Sequence, residues 1–166
     1  MAPIRAAVEH MLRGHCPYPA LALDRLWTIL WMNEPAKILF AQLSVGEGDS
    51  LLDLMLSERL PQQIENWPEV AHHAAQRLRV ESSAQGGIAR LDEVADILVR
   101  TPPPKESALG PVVPTIYRSG SLRLALFATI AQFGTPEDLL LDDLKIELYF
   151  PADEATDEVL QAFSAA

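Results

Sequence analysis

The chain has 166 residues, of which 49% are hydrophobic and 22% are charged, and its formal net charge is −10. This composition is typical of one globular domain with a sizeable core. The acidic balance argues against direct binding to nucleic acid or to an anionic membrane surface, because both present negative phosphate groups.

Targeting and redox features of the sequence favour a cytoplasmic protein. Cys16 is the only cysteine, so no internal disulfide can form, and its position beside Pro17 suggests a buried or half-buried side chain. The N-terminus lacks a signal-peptide pattern, and no apolar run approaches the ~20 residues of a membrane span. We therefore expect a single domain over residues 1–166, without a membrane partner.

The first 43 residues alternate between helix and strand patterns. Apolar residues at helical spacing predict a helix over 3–13. Strands are expected at Ala20–Leu23 and Leu26–Met32, and the second is apolar on both faces, which predicts a central strand that is covered twice. Asn33 has the character of a helix N-cap, followed by a helix that includes Phe40.

Three further helices are predicted in the middle of the chain. They are a short helix at Leu51–Leu56, a longer one from Trp67 to about Val80 capped by Asn66, and a last one over Ile88–Arg100 after Gly86 and Gly87. The inward side of the last helix is expected to carry Ile88, Leu91, Val94, Ala95 and Leu98.

The last third reads as three strands and a terminal helix. The strands are expected at Val112–Arg118, Leu122–Ala131 and Leu144–Phe150. A helical turn beginning at Thr135 is expected to join the last two, and Asp153 is expected to cap the final helix. A hairpin, then helices, then an antiparallel set predicts an α+β fold, with a PAS-like five-stranded antiparallel sheet and helices packed on it.

Three segments carry a resemblance to a known family. They are Pro17–Phe40 (PYPALALDRLWTILWMNEPAKILF), the helix that begins at Asn66-Trp67, and Phe127–Thr156 (FATIAQFGTPEDLLLDDLKIELYFPADEAT). They are similar to the MmyB-like ligand-binding domain, which follows an Xre-type helix-turn-helix in many bacterial transcription regulators. The resemblance covers nearly the whole chain, and its C-terminal segment is specific.

The resemblance implies a PAS-like sensing domain that binds a small hydrophobic, fatty-acid-like molecule and no other cofactor. No helix-turn-helix precedes residue 1 in this sequence, so DNA would be a partner only through such a domain. Aromatic, Met and Arg side chains are the candidates for the ligand-binding residues. They are Trp27, Trp31, Phe40, Met55, Trp67 and Phe127, with Arg123 as the first candidate for a carboxylate head group.

No motif predicts catalysis or metal binding. The sequence has no nucleophile motif and no phosphate-binding glycine pattern, and the adjacent histidines His72 and His73 would point about 100° apart on a helix. We therefore expect no enzyme activity, no catalytic residue and no metal site. One alternative is a ligand-free module for dimerisation, with the two terminal helices in a homodimer. Another is an enzyme or haem sensor, which visible absorbance would reveal.

Overall fold

The structure, a computed structural model, describes residues 2–105, 112–133 and 143–164. The strands in these ranges are β1 (Ala20–Leu23), β2 (Ile29–Met32), β3 (Thr115–Ser119), β4 (Leu122–Ala131) and β5 (Lys145–Pro151). The helices are α1 (Ala2–Gly14), α2 (Glu34–Ala41), α3 (Leu51–Leu56), α4 (Arg59–Gln63), α5 (Trp67–Ala84), α6 (Ala89–Leu98) and α7 (Glu154–Ser164). The helical turn expected at Thr135 lies outside the described residues.

The five strands form one sheet in the order β2-β1-β5-β4-β3. β1 pairs antiparallel with both β2 and β5, and β5 pairs antiparallel with β4. Helices α2 to α6 all occur between β2 and β3 in the sequence. This arrangement confirms the predicted α+β class and the PAS-like five-stranded sheet.

The chain divides into two compact units. The terminal unit comprises Met1–Leu51 and Leu126–Ala166, and the middle unit comprises Leu52–Ala125. The terminal unit therefore holds α1, β1, β2, α2, β5 and α7, while the middle unit holds α4, α5, α6 and β3. That residues 1–166 form a single domain stays a prediction.

Helix α1 covers one face of the sheet in the terminal unit. Its buried residues Val8 and Leu12 pack in one cluster with Ala20 and Ala22 of β1 and with Ile146 of β5. These three strand positions share a face, because Ala22 pairs with Ile146 and side chains alternate along a strand. The opposite face of β1 and β5 therefore points away from α1.

The prediction for β2 is wrong in its extent and its position. The strand covers Ile29–Met32 rather than Leu26–Met32, and it lies at the edge of the sheet rather than at its centre. The Asp24 carboxylate accepts hydrogen bonds from the backbone N–H groups of Leu26 and Thr28, which closes a loop where a strand was expected.

A neighbouring segment explains why this edge strand is apolar. The backbone N–H of Ile29 donates to the Asp49 carbonyl at 2.9 Å, and the N–H of Gly48 donates to the Ile29 carbonyl at 2.7 Å. The Met32 N–H donates to the Glu47 carboxylate at 3.0 Å. The segment that follows α2 thus covers the edge and satisfies its backbone groups, which protects it from pairing with another chain.

Helices α5 and α6 form a hairpin in the middle unit. All five residues predicted for the inner side of α6 are buried. Gly86 and Gly87 have φ values of +79° and +99°, a backbone region that favours glycine, and they reverse the chain between the helices. The hydroxyl of buried Ser82 accepts a 2.7 Å hydrogen bond from the Ile88 N–H and so anchors the start of α6.

The predicted helix caps have different outcomes. Asn33 caps α2, since its Oδ1 accepts from the Ala36 N–H at 3.0 Å, and Asp153 caps α7 through the Thr156 N–H at 2.8 Å. Asn66 does not cap α5 with its side chain. Its amide instead donates to the Pro114 carbonyl at 2.6 Å, because the approaching β3 segment offers it backbone partners.

Candidate functional site

Three ionisable side chains lie buried on one face of β5. Lys145, Glu147 and Tyr149 alternate along the strand, and their side chains are 3%, 2% and 9% exposed. On the neighbouring strand, Leu23 pairs with Lys145 and Leu21 pairs with Glu147. Because Ile146 faces α1, this row of polar residues lies on the opposite face. We call Lys145, Glu147 and Tyr149 the β5 polar row.

Direct contacts join Glu147 to Tyr149 within the β5 polar row, and other contacts join the row to two aromatic rings. The Tyr149 hydroxyl donates a 2.9 Å hydrogen bond to Oε2 of Glu147. The Lys145 ammonium lies 4.3 Å from the centre of the Trp27 ring, a cation–π contact. The Phe40 ring meets the Tyr149 ring edge to face, with 6.3 Å between centroids. All five side chains belong to the terminal unit.

The backbone of Trp27 is strained. Its φ is +64°, which is unusual for a bulky residue, and its side chain is only 2% exposed. The loop holds this conformation through two hydrogen bonds, from the Trp27 N–H to the Asp24 carbonyl and from the Leu51 N–H to the Trp27 carbonyl. Strain of this kind persists where the surrounding structure requires it, often at binding sites.

Burial of the β5 polar row is unfavourable for the free energy of folding. Removing a charged group from water costs several kcal/mol even after the protein relaxes, and apolar residues of similar volume are often no less stable. Neighbouring buried positions on this face are aliphatic, such as Leu21, Leu23 and Ile29. This face therefore combines an ammonium, a carboxylate and a phenol with aliphatic neighbours.

The structure brings together two of the seven predicted ligand-binding residues. Trp27 and Phe40 contact the β5 polar row. Trp31 instead pairs with Ala22 and packs in the cluster beneath α1. Phe127 stacks on Phe150 at 5.5 Å, on that same α1-facing side, because Phe150 alternates with Tyr149 along β5.

The other three predicted ligand-binding residues, Met55, Trp67 and Arg123, belong to the middle unit. Met55 and Trp67 are half-buried. Arg123 is exposed, and its Nε lies 3.8 Å from a carboxylate oxygen of Glu65, which also accepts a hydrogen bond from Arg118. That bond lowers the pKa of Glu65. The binding roles of all seven residues stay predictions.

A second feature of the terminal unit is an open cleft of about 340 Å³. It is lined by Arg5, Glu9, Leu12, Arg13, Cys16, Trp31, Met32, Asn33, Glu34, Lys37 and Glu47. Six of these eleven residues are charged, so the cleft is poorly suited to an apolar chain. Cys16 is exposed, so the expected buried or half-buried side chain is wrong, because the residue lies in the turn after α1.

Two histidines make hydrogen bonds to the backbone. The Nε2 of His15 lies 2.7 Å from the Tyr149 carbonyl, and the Nε2 of His72 lies 2.7 Å from the Thr101 carbonyl. Within residues 2–105, 112–133 and 143–164, no group of three or more His, Cys, Asp or Glu side chains is placed to hold a metal ion. In the same ranges, no helix has both the length and the apolar character needed to cross a membrane.

Sequence reasoning missed the β5 polar row. The alternation of Leu144, Ile146, Leu148 and Phe150 identified one apolar face and gave no reason to bury the other. Antiparallel sheets commonly leave one face in solvent, so the alternation along β5 did not predict a buried polar face.

Comparisons with known proteins identify the family. The model of the MmyB-like transcription regulator ligand binding domain matches residues 4–163. No match is found among curated proteins. A solved structure, the PAS domain of BvgS from Bordetella pertussis, is similar with a TM-score of 0.42 and 10% identity, and 96% of each chain is covered. The family-model match over residues 4–163 confirms the resemblance seen in the sequence. The chain belongs to the MmyB-like transcription regulator ligand binding domain family.

Proposed function

We propose that this regulatory ligand-binding domain senses a small hydrophobic, fatty-acid-like molecule in the cytoplasm of a bacterium. An Xre-type helix-turn-helix region would carry the response to DNA. A ligand that binds one packing of the domain better than another shifts the balance between them, which is sufficient to control a coupled region. No step in this role needs catalysis.

The observation that supports a hydrophobic ligand is the character of the sheet face that carries the β5 polar row. Leu21, Leu23 and Ile29 are fully buried on β1 and β2, and the Trp27 and Phe40 rings lie close to the same row. An apolar ligand gains about 0.8 kcal/mol for each methylene that it buries. A medium-length acyl chain that the domain enclosed would therefore gain affinity with few polar contacts.

Thermal unfolding with an added fatty acid tests this proposal. The purified chain is first extracted under denaturing conditions, and mass spectrometry identifies any lipid that it carries. After lipid removal, dodecanoic acid at about 100 times its Kd should add about 2.7 kcal/mol of stability and raise Tm by about 5 °C or more. Butanoic acid, with the same head group and a short chain, is the matched control and should leave Tm unchanged.

Two results together would contradict the proposed ligand class. They are the absence of any co-purified lipid and an unchanged Tm with acyl chains of every length tested. A ligand-free dimerisation module would then be the better interpretation. One observation favours that alternative, since Phe163 on α7 is 52% exposed. Light scattering of the wild-type chain and of the Phe163→Asp variant would show whether this helix joins two copies.

A further inference from the structure

The open cleft of the terminal unit is lined by two helices and a strand. Residues of α1 and α2 supply most of its charged groups, while Leu12, Trp31 and Met32 supply its apolar surface. Leu12 and Met32 are buried, so the apolar surface lies at the base of the cleft. The volume of about 340 Å³ is at the lower end of the range for small-molecule sites, which is about 300–1,000 Å³. A small molecule with an apolar part therefore fits this space.

Four of the six charged residues that line the cleft neutralise one another in pairs. The Arg5 Nε lies 2.8 Å from Oε1 of Glu9, and the Lys37 Nζ lies 3.0 Å from Oε1 of Glu34. The first pair lies within α1 and the second within α2, so these four residues add no net charge to either helix. One cation and one anion of the lining remain.

The two remaining charges are Arg13 and Glu47. Neither forms an ion pair within the part of the chain that the structure describes. Oε1 of Glu47 accepts a hydrogen bond from the Met32 N–H at 3.0 Å, which leaves the other carboxylate oxygen for a ligand. Arg13 is exposed in the last turn of α1, and its guanidinium offers a planar set of N–H donors.

The charge of Glu47 reaches both helices that line the cleft. The pKa of Arg5 is raised, first by its hydrogen bond with Glu9 and to a smaller extent by the charge of Glu47. The pKa of Lys37 is raised first by Glu34 and, again to a smaller extent, by Glu47. The Glu47 carboxylate is therefore within electrostatic range of α1 and of α2, as expected for a group in the cleft that they line.

We propose that this cleft binds a small zwitterion, an apolar amino acid or a short peptide, with the ligand carboxylate on Arg13 and the ligand ammonium on Glu47. A guanidinium holds a carboxylate through two parallel hydrogen bonds, and an ammonium donates to a carboxylate oxygen. The apolar base of the cleft takes the ligand side chain. This inference goes beyond the proposed function, because the site takes a polar molecule and does not depend on a fatty acid.

The opposite charges of Arg13 and Glu47 favour a zwitterion over a ligand with one charge. A simple carboxylate on Arg13 would add a negative charge near Glu47, and a simple amine on Glu47 would add a positive charge near Arg13. The lining as a whole has three cationic and three acidic side chains. A ligand with no net charge preserves this balance.

NMR titrations with leucine, N-acetylleucine and leucinamide separate the two charges. The three probes share one side chain, but the second lacks the ammonium and the third lacks the carboxylate. Leucylglycine carries both charges further apart, so it distinguishes a peptide from an amino acid. We expect the better of leucine and leucylglycine to bind about tenfold tighter than either singly charged probe, the ratio that one hydrogen-bonded charge contact provides. The Met32 N–H signal reports occupancy of the cleft.

Two variants assign the charges. Arg13→Met should weaken binding of the zwitterion about tenfold and leave leucinamide no weaker. Glu47→Gln keeps an acceptor for the Met32 N–H while it removes the charge, so it should weaken the zwitterion about tenfold and leave N-acetylleucine no weaker. Arg25→Met and Glu158→Gln make the same replacements at exposed residues of the terminal unit outside the cleft, and both should bind like the wild type.

The outcomes distinguish this inference from the proposed function. Failure of the wild-type chain to bind leucine and leucylglycine overturns the cleft site and leaves the fatty-acid-like ligand intact. Equal binding of the zwitterions and the singly charged probes overturns it as well, and so does a loss in the control variants that equals the loss in Arg13→Met. A chain that binds leucine in the cleft but no acyl chain contradicts the proposed ligand class and supports this inference.

Discussion

Single residues with several partners hold the terminal unit together, and Asn33 is the clearest of them. Its Oδ1 accepts from the N–H groups of Ala20 and Ala36, both at 3.0 Å. Its amide donates to the carbonyls of Leu12 at 3.0 Å and Tyr18 at 2.9 Å. One buried side chain thus connects α1, the start of β1 and the first turn of α2.

Replacing Asn33 with alanine should destabilise the chain strongly. The change removes four hydrogen bonds to the backbone, three of them buried, so we expect a loss of about 3 kcal/mol or more in the free energy of unfolding. Asp153→Ala is the matched control, because it removes a cap with one bond and should cost only about 1 kcal/mol. Urea denaturation measures both, and equal losses would contradict the connecting role of Asn33.

The ion pair between Glu65 and Arg118 predicts a dependence of stability on pH. The hydrogen bond from Arg118 lowers the pKa of Glu65 below its ordinary value of 4.5 in the folded chain. The ionised carboxylate therefore favours folding. This contribution is present above pH 4.5 and is lost as the pH falls through the lower, folded pKa.

An NMR titration of the Glu65 carboxyl group measures its pKa directly. In Arg118→Met, the pKa of Glu65 should rise towards its ordinary value, although Arg123 remains at 3.8 Å. Arg79→Met removes an arginine that pairs with Asp96 instead, and it should leave the titration of Glu65 unchanged. A Glu65 pKa that is the same in wild type and Arg118→Met would show that the pair does not form in solution.

At the scale of the elements, the turn between α5 and α6 depends on glycine. Gly87 has a φ of +99°, and a Cβ added there would meet no atom within 4 Å. Gly87→Ala should therefore cost about 1–2 kcal/mol through backbone conformation alone. Gly14→Ala has equal space and no positive φ, so it should be neutral or slightly stabilising. Thermal unfolding measures the Tm of both variants. Equal Tm values would show that the positive φ of Gly87 does not make alanine costly there.

Elements that follow from a local pattern were predicted better than features that depend on the rest of the fold. The buried stripe of α6 follows from a local period, and the boundaries of α3 and β4 were predicted correctly for the same reason. β2 was misplaced because the segment that covers its edge is a tertiary feature. The β5 polar row was missed because the burial of Lys145 depends on tertiary neighbours such as β1 and Trp27 and not on its own sequence.

For the molecule as a whole, the charge balance limits the partners. The chain carries 23 acidic and 13 basic residues. We expect this chain alone to leave a DNA fragment unretarded in a gel at low salt, because it would gain no counterion release from phosphate contacts. Fusion to a basic DNA-binding domain is the positive control. Salt-sensitive retardation by the isolated chain would contradict this expectation.

The pairing of β1 with β5 also implies a delay during synthesis of the chain. Ala20 pairs with Leu148, so the partner strand is translated 128 residues after β1. At ~5–20 residues per second, the nascent β1 waits between about 6 and 25 seconds for that partner. During this interval β2 and α1 are the neighbours from the terminal unit that are already translated. The β5 polar row is therefore among the last parts of the terminal unit to be made.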